Sequence, residues 1–370
     1  VALLNFSQPA ISEAVIAAMA DTMRSGWIAS GPRVLEFESA LSQTFGGRPT
    51  RSLTSATGAM ELALLACGVG PGDEVITSTQ SFFSTMNMIV KVGAHPVFVD
   101  CDLITRAIDL QQVEAAITSR TKVIVPTHFP GALGDMDALY ALARRHGLRV
   151  IEDAALVQGS EWNGRPIGSF GDIATFSFHP NKNMTTIEGG AVVVPDEATA
   201  KRIEVLRFHG IERMPDDTRD VSEASGKYNL SDVSAAIGLV QLKQLPDFLA
   251  HRRMLADHYF EVFPHIEGAV LPPRGIDGQS WNMFCVLLPF ERLGTTRQAF
   301  RTALRERGIA TGLSYEPSHL TTLGFKMGYR EGQFPNAERI GSQTVTIPLH
   351  CGMGKEDVEY VSDAVRAVLT

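Results

Sequence analysis

Lys182 stands in "SFHPNKNMTTIEGG", residues 177–190, directly after the apolar run "IATFSF". An amine there can be an ordinary solvated loop lysine. It can also be a reagent, because desolvation or a nearby cation lowers a lysine pKa and frees the amine to attack a carbonyl. Asp153 ends a second apolar run, in "LRVIEDAA". It could cap a following helix. It could instead hold a cationic ring nitrogen, whose charged form a carboxylate favours. In "TSATGAMELAL", Ser55, Thr57 and Gly58 precede an Ala- and Leu-rich helical pattern. Small residues at a helix start present free N–H groups and the positive end of the dipole, which suits a phosphate. The plain alternative is an N-cap by Ser55 or Thr57. Ser177 could add a hydroxyl to the same phosphate. In "TSTQSFFSTMN", Phe82 or Phe83 follows the run "EVIT". Such a ring could stack on a planar ligand or fill the core.

A lysine and a carboxylate at the ends of consecutive strands are what a carbonyl cofactor with a pyridinium ring requires. That cofactor is pyridoxal phosphate (PLP). The elements that would position these groups are readable from pattern. "EVIT", "HPVFVD", "TKVIVPT", "LRVIED" and "IATFSF" are short β-rich runs bounded by polar or turn residues. They alternate with helical segments such as "LQQVEAAIT" and "MDALYALARRHG". This alternation predicts an α/β fold with a mostly parallel sheet covered on both faces. Ligands of such sheets bind beyond the carboxyl ends of the strands. A long helical stretch follows from Leu230, interrupted or kinked at Pro246. Beyond it the texture becomes α+β. The division expected is a large domain over 1–250, whose N-terminal segment could pack on the small domain, and a small domain over 251–370.

The chain has 370 residues, enough for two such units. Its formal net charge of -8 and the absence of a basic block argue against a nucleic-acid binder. Cys67, Cys101, Cys285 and Cys351 form no CxxC pair, so a metal site or disulfide framework is not expected. No basic and apolar leader opens the sequence and no long apolar run crosses it, so a cytoplasmic protein without membrane contact is expected.

The same motifs carry a family resemblance over nearly the whole chain. From "SGWIASGPRVLEFE" through "SATGAMELAL", "GAHPVFVDCD", "IEDAALVQG", "SFHPNKN" with its downstream "EGG", and "KYNLSD" to "IPLHCGMGKEDVEYV", the sequence resembles the fold-type I PLP enzymes. Within them it is similar to the DegT/StrS nucleotide-sugar aminotransferases. "KYNLSD" looks most like the branch that forms UDP-4-amino-4-deoxyarabinose. The resemblance implies Lys182 as the Schiff-base lysine and Asp153 as partner of the pyridine nitrogen. Phe82 would stack on the ring, with Phe83 as its packing neighbour. Thr57, Gly58 and Ser177 would hold the phosphate. Asn229 would reach the cofactor phosphate of a partner subunit in a homodimer with shared sites. His179 would play a supporting part. The implied reaction moves an amino group from an amino acid, glutamate by analogy, to a nucleotide-linked keto-sugar at C4. Amination at C3, amino-acid lyase or desulfurase chemistry and a non-catalytic regulator are alternatives. A sugar dehydratase of this type replaces the lysine with histidine, which Lys182 opposes. One departure stands out: many relatives hold Gln or His where this chain has Leu156, near the cofactor's 3-hydroxyl. Arg207, His209 and Arg213, with Glu212 among them, are candidate cations for an anionic substrate.

Overall fold

The computed structural model describes residues 3–274 and 278–369. In chain order, α1 (Glu13–Ser25) and α2 (Pro32–Thr44) lead into β1 (Thr50–Leu53). Next come α3 (Ala56–Ala66), β2 (Glu74–Ser78), α4 (Phe83–Lys91) and β3 (His95–Val99). α5 (Leu110–Ala116), β4 (Thr121–Val125), α6 (Met136–His146) and β5 (Arg149–Asp153) continue the alternation. A short hairpin of β6 (Glu161–Trp162) and β7 (Arg165–Pro166) precedes β8 (Ile173–Ser177) and β9 (Gly190–Val193). α7 (Glu197–Leu206), a second hairpin of β10 (Ile211–Arg213) and β11 (Arg219–Val221), and the long α8 (Asp232–Val262) follow. The C-terminal part holds β12 (Phe284–Leu287), α9 (Arg297–Glu306), α10 (Thr322–Lys326), α11 (Pro335–Gln343), β13 (Thr344–Ile347) and α12 (Lys355–Leu369).

Several helices between strands begin where a short polar side chain caps them. Asp135 accepts from the Ala138 N–H at 2.9 Å to start α6, and Gly147 ends that helix at φ 64°. Replacing such a cap by alanine costs about 1 kcal/mol. Asp109, Asp196 and Ser231 start α5, α7 and α8 in the same way.

Seven strands form one sheet in the order β1-β9-β8-β5-β4-β2-β3. Only β9 runs antiparallel to its neighbours; the other pairs are parallel. Successive residues of each strand serve opposite faces. Val75, Val123, Val125, Ile151 and Ile173 join the core beneath α3, α4 and α7. Ile76, Ile124 and Val150 join the opposite core with α5 and α6, and Ala174 and Phe176 pack with α2 and α8. Both faces are therefore covered, which is why the strands read as unbroken apolar runs.

β12 and β13 pair antiparallel and build a second core with α9, α12 and the end of α8. The N-terminal segment lies against this unit: Leu4 bridges to Ile309 and the Leu349 N–H donates to the Phe6 carbonyl. α8 contributes Ala235, Leu239 and Leu245 to the first unit and Leu255, Ala256 and Tyr259 to the second. It runs as one helix of 31 residues through Pro246 rather than breaking there. Burial of both halves offsets the roughly 3 kcal/mol that an internal proline costs. We keep the division near 250 as a proposal; that position falls inside α8.

Candidate active site

The carboxyl ends of β1, β4, β5 and β8 and the start of β9 converge on one pocket. Ser55, Thr57, Phe82, Thr127, Asp153, Leu156, Ser177, Lys182, Glu188, Gly189 and Tyr315 are among its lining residues. β5 and β8 are parallel neighbours with Asp153 opposite Thr175, so the loop after β8 carries Lys182 to the side where Asp153 ends its strand.

The loop is pinned on both sides of Lys182. Its own N–H donates to the His179 carbonyl at 2.9 Å. Asn183 donates to the carbonyls of Gln158 and Ser280, and the Thr185 hydroxyl to that of Phe178. Among the described residues the Lys182 amine has no hydrogen bond or ion pair. Burial pushes its pKa down to about 8, against the opposing pull of the Asp153 carboxylate. A substantial neutral fraction therefore exists near neutrality, as a nucleophile needs. Capture of PLP by the cofactor-free protein should accelerate ~fivefold between pH 7 and pH 8 and level off above pH 9. Stopped-flow absorbance at a series of pH values measures this; a flat profile contradicts the lowered pKa.

Asp153 does not cap a helix, since turns follow it. Its Oδ1 accepts from the Ala155 N–H at 3.3 Å. Its Oδ2 receives the end of a hydroxyl chain: Thr127 donates to Ser81 at 2.9 Å, Ser81 to Thr85 at 3.2 Å, and Thr85 to Asp153 at 3.2 Å. All four side chains are buried. The chain orients the carboxylate.

The phosphate-type end is partly as expected. Ser55 is the N-cap of α3 and accepts from the Gly58 N–H at 3.0 Å. The Ala59 N–H goes to the Ser55 carbonyl. Ala56 and Thr57 keep first-turn N–H groups with no partner among the described residues, and both residues line the pocket with Ser177. Gly58 does not line it: its N–H is engaged, and a Cβ there would meet the Tyr228 ring at 2.9 Å. Gly189 and Gly190 do not have positive φ; a Cβ on Gly190 would meet the Ala56 nitrogen at 2.4 Å. The smallness of Gly190 lets β9 approach the start of α3, while a Cβ on Gly189 would meet the Thr186 hydroxyl.

Phe82 is the residue before α4, half exposed, with Phe83 5.9 Å away as its packing neighbour. His179 lines the pocket and bonds to Asn181 at 2.8 Å. Asn229 lies outside the pocket, accepting from Lys227 at 2.7 Å and donating to Ser30. The three candidate cations do not line the pocket either. Arg207 is spent on Glu38 and the Ser52 carbonyl, and Arg213 pairs with Asp217. His209 is an exposed residue at φ 61°. Tyr315, supplied by the C-terminal unit, and the hydroxyl chain behind Asp153 were not anticipated. Hydroxyl residues on three separate elements carry no common sequence signal.

The DegT/DnrJ/EryC1/StrS aminotransferase family matches residues 9–366 of this chain. The chain belongs to that family. A Bacillus subtilis relative, the spore coat polysaccharide biosynthesis protein SpsC, is 39% identical over 99% of the chain and 97% of its own length. The PLP form of Spr1654 from Streptococcus pneumoniae superposes with a TM-score of 0.92 at 32% identity, covering 100% of both chains. The sugar aminotransferase CalS13 from Micromonospora echinospora gives 0.89 at 28% identity over 99% of each chain. Like them, the protein has the fold-type I architecture. It is a PLP-dependent sugar aminotransferase. Its pocket fits that cofactor: among the described residues it has an amine without a hydrogen bond, a buried carboxylate without an ion pair, two unpartnered N–H groups at a helix start and an exposed aromatic face. Among the described residues no helix is long and apolar enough to cross a membrane.

Proposed function

We propose that this enzyme moves an amino group from glutamate to C4 of a nucleotide-linked keto-sugar, in the cytoplasm and as a homodimer. The observation that carries the catalytic part is the pairing of an unpartnered, pKa-lowered Lys182 with buried Asp153 across adjacent parallel strands. When bound, PLP supplies a carbonyl that takes up the amine and a ring that accepts electrons. Lys182 would hold the cofactor covalently. Once displaced, its amine would carry a proton between the substrate carbon and the cofactor's carbonyl carbon, as base and then acid. Asp153, held by Thr85 and Ala155, would keep the ring nitrogen protonated. Phe82 would support the ring face. Thr57 and Ser177 would bind the phosphate with the start of α3, and Gly58 would serve by admitting Tyr228. Asn229, lying outside its own pocket, suits a contact with the cofactor phosphate of a partner subunit.

SpsC is named for spore coat polysaccharide biosynthesis, and a similar product is a reasonable destination for the amino sugar. Glutamate alone should discharge the visible absorption band of the PLP-loaded enzyme. A panel of nucleotide-linked keto-sugars, ketones at C3 and C4 and UDP-linked keto-pentose included, should then be screened for restoring it. Restoration by a 4-keto member supports the assignment. Restoration only by a 3-keto sugar moves the site of amination, and failure of the whole panel refutes a nucleotide-sugar acceptor.

A further inference from the structure

Tyr315 reaches the pocket from the C-terminal unit. Its ring is held 5.4 Å from Phe82 and 5.4 Å from Phe129, and its backbone carbonyl accepts from Gln80 at 3.1 Å. It packs against the buried cluster that contains Phe129 and Leu156. Among the described residues its hydroxyl has no hydrogen-bond partner, although the residue lines the pocket. A phenol fixed by packing on both sides and lining the pocket is in place to donate to a ligand bound there. Of the neighbouring pocket hydroxyls, Thr127 is committed to Ser81 and Thr175 to the Glu152 carbonyl. Leu156 and Ala155 offer no side-chain donor.

We propose that Tyr315 donates its hydroxyl hydrogen bond to the ring oxygen of the bound cofactor; this rests on the PLP reading above. PLP carries its phosphate arm and its ring hydroxyl on opposite sides of the carbon that Lys182 attacks. With the phosphate end at Thr57 and Ser177, that oxygen would face away from the start of α3, toward the part of the pocket that Leu156 and Tyr315 line together. Burial and the negative charge of Asp153 push the phenol's pKa upward, so it stays a neutral donor over the working pH range. A donor stabilises negative charge on the ring oxygen and so favours loss of the proton that this oxygen shares with the Lys182 nitrogen. Tyr315 is thus a residue that tunes the cofactor from outside the sheet domain.

The test is Tyr315→Phe, which keeps both ring contacts. Spectrophotometric titration of the lysine-bound cofactor should show its visible band titrating about one pH unit higher. The Kd for PLP should rise roughly tenfold, the usual scale of one lost hydrogen bond. Adding Leu156→Gln to the Phe variant should recover part of both shifts, because position 156 lines the pocket beside Tyr315 and an amide there would supply a donor on the same side. Unchanged titration and Kd in Tyr315→Phe overturn the proposal, as does a change confined to the KM of the keto-sugar, which would assign the hydroxyl to the substrate. If the wild-type protein forms no borohydride-fixable band at Lys182, the PLP reading fails and this inference falls with it.

Discussion

Lys182→Ala should reduce transamination by about 10⁴-fold or more, because it removes the covalent anchor and the proton carrier in one change. Lys182→Arg should do as badly, since a guanidinium stays charged and cannot attack a carbonyl. Borohydride treatment followed by peptide mapping should fix cofactor to the wild-type chain and to neither variant. The fold should survive, because the amine holds nothing in place. There is a stability signature as well. The partly buried Lys182 has its pKa lowered to about 8 from 10.5, so the unfolded chain binds more protons between those values. The cofactor-free protein should therefore gain stability as pH rises across that window, and below it bears the full cost of burying the charge. Lys182→Met should remove this pH-dependent gain, which denaturant titrations at pH 7.5 and pH 10 can measure. Retained turnover in either the Ala or the Arg variant would refute the assigned role.

Asp153→Asn is expected to lower kcat by about 10²–10³-fold, the scale of losing one preorganised electrostatic contact. Two effects combine. An amide cannot hold the ring nitrogen in its protonated form. It also has one acceptor oxygen where the carboxylate has two, and two donors converge here, the Thr85 hydroxyl and the Ala155 N–H. One of them is left unpaired in a buried place, at about 1–3 kcal/mol. Reconstitution with N-methylated PLP separates these effects, because its ring is cationic whatever residue stands at 153. Partial recovery of Asp153→Asn with that analogue is the expected outcome. Normal turnover of the variant with ordinary PLP would exclude Asp153 as the partner of the ring nitrogen.

The central sheet was legible because strands buried on both faces must be apolar throughout, as "TKVIV" and "IATFS" are. Asp153 and Lys182 were legible because polar residues directly beyond such runs stand where parallel sheets place their ligands. Tyr315 was not, because its arrival depends on how the C-terminal unit docks, and the sequence separation from Phe82 hides that contact. Gly58 was read as a phosphate ligand when its smallness answers to Tyr228, a neighbour that only the folded chain supplies. Arg207 looked available in the sequence; Glu38, far back along the chain, claims it. Pro246 looked like a break because local propensity says nothing of two cores gripping one helix.

That shared helix has a mechanical consequence. At about 1.5 Å per residue, the 31 residues of α8 form a rod of roughly 46 Å whose two ends are set in different cores. A loose tether between the two units would let them gape like a hinged shell, carrying Tyr315 away from Phe82 at each opening. A continuous rod resists that swing and leaves slight twisting as the easier displacement. The two units are accordingly coupled like the ends of one beam, so that Tyr315 and Phe82 keep their spacing as the molecule flexes.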